Sequence, residues 1–129
     1  MQEGLHFIVP IANFNMRILL ILIILFPGFN VLAENFVLGI DDIPIYADME
    51  NVDDSLILFD SVNGRFVSSE LIGEGIIKDA QNFYETVLPN LGWIKKKDNF
   101  FVREKEVLEI NYKKEKGILR VLFNIFPKK

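Results

Sequence analysis

The chain reads as an α+β domain, with a single helix packed across one face of a twisted, mainly antiparallel sheet of about five strands, in the order ββαβββ. Three observations predict this. One stretch, residues 79–93, has helical periodicity and a one-sided apolar face. Two β-like runs flank Asn63-Gly64. Three further strand-like runs follow Trp93, joined by short polar turns.

The helix is the clearest element. Ala80, Phe83, Tyr84, Val87, Leu88 and Leu91 recur at steps of three and four, which places them on one face. Asp79, Gln81, Asn82, Glu85 and Thr86 take the other. Pro89 lacks an N–H donor and Gly92 tolerates the left-handed conformation that closes helices, so both mark its end. Phe83, Val87 and Leu88, with Trp93 just beyond, are expected to supply much of the core. Tyr84 reads as a core aromatic with its hydroxyl at the rim.

Before the helix, residues 56–62 and 65–72 flank Asn63-Gly64, a pair that favours a type I′ hairpin turn. That turn sets Val62 opposite Arg65, Asp60 opposite Val67 and Leu58 opposite Ser69. One face then carries Leu56, Leu58, Val62, Val67 and Leu71. The other carries Ile57, Phe59 and Phe66 with Ser61, Ser68 and Glu70. Asp60 and Arg65 become diagonal neighbours, the arrangement of a surface cross-strand ion pair. Gly73-Glu74-Gly75 ends the second strand.

After the helix, residues 94–97 turn at Asp98-Asn99 into 100–104. Residues 107–112 alternate, with Leu108, Ile110 and Tyr112 on one side. Residues 113–117 form a polar turn. Leu119, Val121, Phe123 and Ile125 then alternate with Arg120, Leu122 and Asn124. Short connections make these runs antiparallel neighbours. The core domain spans 56–127. Ahead of it, residues 34–55 form an extended acidic lead-in with an edge strand at 35–40, pinned by Ile43, Ile45, Tyr46 and Met49. It lacks the ligand order of an EF-hand loop, so its acids read as a solvated loop.

Residues 1–33 read as an address. Met16-Arg17 precedes nine apolar residues, 18–26, then Pro27-Gly28, and Val31-Leu32-Ala33 supplies small residues before a cleavage point. The run is shorter than the roughly 20 residues of a membrane span. Residues 1–15 fit a misplaced start, with Met16 the better one. The domain is therefore expected in the periplasm or secreted. An uncleaved signal would anchor it, as its only membrane contact.

Composition narrows the chemistry. The chain has no cysteine and a single histidine, His6, which lies ahead of the cleavage point. Ser-His-Asp triads, Cys-His pairs and His- or Cys-bound metals are thereby excluded after residue 33. No Gly-x-x-x-x-Gly-Lys or Gly-x-Gly-x-x-Gly phosphate loop occurs. Ser68-Ser69 has no lysine at the Ser-x-x-Lys offset. The net charge of −4 argues against nucleic acid as a partner. Lys95-Lys96-Lys97 and Lys113, Lys114 and Lys116 are read as solvated residues guarding turns and edges.

Asp42-Ile43-Pro44, Phe59-Asp60-Ser61 with Gly64-Arg65, Phe83-Tyr84, Leu88-Pro89-x-Leu91-Gly92-Trp93, Arg103-Glu104 and the closing Phe123 and Pro127 resemble a group of small exported proteins of alphaproteobacterial type. The likeness covers about residues 40–127, and Phe-Tyr-x3-Leu-Pro-x-Leu-Gly-Trp is its most specific part. That group carries no assigned activity, so the resemblance transfers no functional residue.

The expectation is a non-catalytic envelope module that binds an envelope protein or polymer through a sheet face or edge. Its interaction patch is the second hairpin face, Ile57, Phe59 and Phe66. No catalytic, cofactor-binding or metal-binding residue is assigned, and no cofactor is expected. The alternatives are a cell-wall hydrolase working with two convergent carboxylates, and a carrier with a pocket between helix and sheet.

Overall fold

The computed structural model describes residues 35–129. The leader expected over 1–33 lies outside the described residues. Among those described, no helix is long and apolar enough to cross a membrane.

Among the described residues the fold is α+β, with a single α-helix and an antiparallel sheet of seven strands rather than about five. The strands are β1 (Glu50–Asn51), β2 (Ile57–Ser61), β3 (Gly64–Gly73), β4 (Ile94–Lys97), β5 (Phe100–Arg103), β6 (Glu106–Glu115) and β7 (Ile118–Pro127). The helix α1 (Ile77–Asn90) lies between β3 and β4. The spatial order is β1-β3-β7-β6-β5-β4, with β2 pairing β3 beside β1. The chain leaves β3, crosses to the far edge through α1, and meanders back until β7 lies against β3.

Two features raise the strand count. β1 is two residues long and exists only through its pairing with Leu71 and Ile72 of β3. The turn expected at Asp98-Asn99 forms, with Asn99 at φ 67°, and the segments on its two sides, counted as one run in the order ββαβββ, are the separate strands β4 and β5. The polar run expected to form a turn at 113–117 is mostly strand. Lys113, Lys114 and Glu115 belong to β6, and only Lys116-Gly117 turns. Both have positive φ, 50° and 79°, the signature of a type I′ turn.

The expected I′ turn at Asn63-Gly64 does not form. Val62 and Asn63 make the turn, and Gly64 already pairs with Ser61. The Ser61 hydroxyl accepts from the Asn63 N–H at 3.2 Å and donates to the Gly64 carbonyl at 3.0 Å. Gly64, at φ 133°, lies against Pro127, whose Cγ would stand 3.1 Å from an added Cβ. The register therefore differs by two residues: Leu58 opposes Val67 and Asp60 opposes Arg65. A shift of two keeps every side chain on its expected face. The strand expected at 35–40 is also absent. Phe36 makes one isolated bridge to Pro44, and the backbone turns at Leu38-Gly39.

One face of the sheet is covered by α1 together with the lead-in. Ala80, Tyr84 and Leu88 are the helix's buried residues. Phe83 and Val87 are half-buried. Val37, Ile40, Ile43 and Met49 of the lead-in join Leu71, Phe101, Leu108, Ile110, Val121 and Phe123 in the same core. The helix ends in a Schellman motif. The Trp93 N–H donates to the Leu88 carbonyl at 3.1 Å and the Gly92 N–H to the Pro89 carbonyl at 3.1 Å, with Gly92 at φ 91°. This closure swings Trp93 into the core, 1% exposed. Arg103 stacks 4.3 Å from the Trp93 ring, donates to the Leu91 carbonyl at 3.0 Å and pairs with Asp42. One guanidinium thus ties β5, the helix end and the lead-in together.

Candidate functional site

The helix and lead-in cover one face of the sheet; the outer face carries an apolar row. Paired residues share a face, so the row follows the register. Ile94 opposes Val102, Val102 opposes Val107, and Val107 opposes Phe126. Phe126 and Phe66 line the same recesses, and Phe66 opposes Phe59 with ring centroids 6.0 Å apart. The row therefore crosses β4, β5, β6, β7, β3 and β2. Ile94 is 62% exposed, Phe59 58% and Phe66 42%.

A second row lies alongside. Phe100 opposes Glu109, Glu109 opposes Asn124, Asn124 opposes Ser68, and Ser68 opposes Ile57. Ser68 and Asn124 are short. They leave a recess of about 360 Å³ between Phe66, Phe126, Ile57 and Glu109. Aromatic walls with a few polar groups suit contact with a partner's side chains.

Ile57, Phe59 and Phe66 are where the sequence placed them, together on the outer face. Ile94, Val102, Val107 and Phe126 extend that patch and were missed. Their alignment depends on register between strands, which alternation within one strand does not report. The uninterrupted Phe100-Phe101-Val102 and Ile125-Phe126 runs were the available signal: apolar residues on both parities mark a strand apolar on both faces.

The charged candidates resolve otherwise. Arg65 does not pair with Asp60, although the two are directly opposed. Its Nε and Nη2 meet Glu106 Oε2 and Oε1 at 2.7 and 3.2 Å, a two-pronged bond across the end of the sheet. Lys95 binds Glu85 at 2.9 Å and Asp98 at 3.1 Å, which raises its ammonium pKa. Lys113 binds Glu115 at 2.9 Å and holds that carboxyl below its usual range. Lys97 stacks over Phe100 at 4.3 Å. Neighbours thus engage three of the six clustered lysines.

Asp48, Glu50 and Glu74 line a recess of about 490 Å³ at the β1 end of the sheet. All three are exposed. Acid–base work by paired carboxylates relies on burial to hold one proton on, and water reaches each of these. Among the described residues, no three His, Cys, Asp or Glu side chains are placed to hold a metal ion. Between helix and sheet, Tyr84, Leu88, Trp93, Phe101 and Phe123 fill the space where a carrier would keep its ligand.

No family model, curated protein or solved structure matches the chain.

Proposed function

We propose that the domain is a non-catalytic interaction module of the cell envelope, which receives a protein or polymer partner on the outer face of its sheet. The observation that carries this reading is the apolar row from Ile94 to Phe59. Its Val107, Phe126, Phe66 and Phe59 segment contains three aromatic rings, and aromatic residues, phenylalanine included, are enriched at the cores of interfaces. A folded domain rarely leaves so long an apolar line open to water without a partner for it. Phe66 and Phe59 are exposed, so they serve this role without being needed to fill the core. The likeness to small exported proteins and the leader pattern support an envelope location.

The test is site-specific photo-crosslinking in cells. A photoreactive residue at position 66 should capture a discrete partner. The same residue at position 114, in exposed β6, should not. Equal capture at both sites, or none at 66, contradicts the reading.

A further inference from the structure

We propose that β2 pairs with the β2 of a second copy of the chain, antiparallel and in the same sheet, with Leu58 on the two-fold axis. The inference goes beyond the reading above and does not rest on it: in such a pair only Ile57 and Phe59 of the outer face meet the second copy, while Phe66, Phe126, Val107 and Ile94 stay open.

The two flanks of the sheet are treated differently. The β4 flank carries Lys95, Lys96 and Lys97, and its register shifts between Lys95 and Lys97. Consecutive lysines and irregular pairing both deter strand addition. On the opposite flank, β1 has only two residues. β2 has five, all exposed, none basic, in regular register with β3. Ile57, Leu58 and Phe59 are 65%, 59% and 58% exposed. Leu56 is also extended, at φ −67° and ψ 122°, so the edge begins one residue earlier.

The outer edge of a strand presents backbone N–H and C=O groups that another strand satisfies. Charge and side-chain pattern point to a second copy as that strand. Asp60 is the only charged residue of β2, and it enters no ion pair among the described residues. A two-fold axis at Asp60 would set two carboxylates face to face. An axis at Leu58 sets Ile57 opposite the second copy's Phe59, Leu58 opposite Leu58, and Asp60 opposite Leu56. Ile57, Leu58 and Phe59 then each meet an apolar side chain, only Leu56 faces Asp60, and the two carboxylates lie at opposite ends of the ladder. Few side chains contribute on each side, well short of the roughly 800 Å² per partner of a standard interface. The association is therefore weak and rises with concentration.

Because the chain has no cysteine, one introduced thiol reports one position. In cells producing the full chain with Leu58→Cys, mild oxidation should yield a disulfide-linked species of twice the chain mass. Directly opposed antiparallel residues have Cα atoms about 4.5–5.5 Å apart, within disulfide range. Val62 is more exposed, at 102%, but lies at the hairpin tip away from the axis. A Val62→Cys chain should cross-link at least fivefold more slowly. Equal or faster linkage of the Val62→Cys chain would show random collision and overturn the proposal. So would a Leu58→Cys chain that stays monomeric or links only to a different protein. As a second reading, sedimentation of the cysteine-free chain should show concentration-dependent dimerisation that Ile57→Lys weakens at least tenfold, with the circular dichroism spectrum unchanged. Dimerisation unaffected by Ile57→Lys would equally overturn it.

Discussion

The hydroxyl of Tyr84 donates to the carbonyl oxygen of Pro44, 40 residues earlier, at 2.9 Å, and accepts from the N–H of Tyr46 at 3.0 Å. Through one phenol the helix fastens the lead-in over the core. Its ring packs edge-on against Phe123 at 5.1 Å and Phe83 at 4.9 Å. The lead-in residues Ile40 and Ile43 are fully buried under this latch, so its loss opens part of the core itself.

Tyr84→Phe keeps the ring and removes the latch, leaving one backbone donor and one acceptor without partners. The expected cost is about 1–3 kcal/mol, read as a lower urea midpoint. Amide exchange at Tyr46 should accelerate while exchange in β7 does so only in step with global stability.

Burial raises the Tyr84 phenol pKa, and burial followed by the nearby Glu85 charge raises that of Tyr112. A folded-state pKa above the unfolded value of about 10 gives stability that is whole below pH 10 and lost as pH rises beyond it. The melting temperature should be insensitive to these groups at neutral pH and fall above about pH 10. Tyr112→Phe should flatten that fall; an unchanged alkaline slope in this variant would contradict the assignment.

Ser69 is fully buried on β3 opposite Phe123, and its hydroxyl has no hydrogen-bond partner. Ser69→Ala removes an unsatisfied polar group at little loss of volume. It should stabilise the fold by about 0.5–2 kcal/mol, measured by chemical denaturation.

Leu88 is fully buried and Phe83 is half-exposed at the edge of the helix layer. Leu88→Ala should cost about 2–5 kcal/mol. Phe83→Ala should cost about 1–3 kcal/mol, less than the about 3–5 kcal/mol of a fully enclosed phenylalanine. A larger loss at position 83 than at 88 would place the helix face differently.

Much of this architecture was legible in the sequence because it rests on local periodicity. The helix face, the Gly92 closure and the two faces of the β2–β3 hairpin follow from spacing alone. The hairpin faces held even though the register was two residues off, since side chains alternate with period two. What depended on long-range pairing was hidden. β1 has no strand pattern and is made by Leu71 and Ile72. The Tyr84 hydroxyl is internal rather than at the rim because Pro44 and Tyr46 come to it. Of the outer face, only Ile57, Phe59 and Phe66 were legible, because one hairpin brings them together. Ile94, Val102, Val107 and Phe126 join them through four further strand registers.

The central claim is that this outer face serves a partner rather than the fold. The direct measurement is the melting temperature of Phe66→Asp together with its capture in cells by a photoreactive residue at position 126, in the outer row away from the β2 edge. The account predicts a melting temperature within a few degrees of the parent chain and loss of the captured partner. A domain that unfolds on this change, or one that captures its partner undiminished, would contradict it.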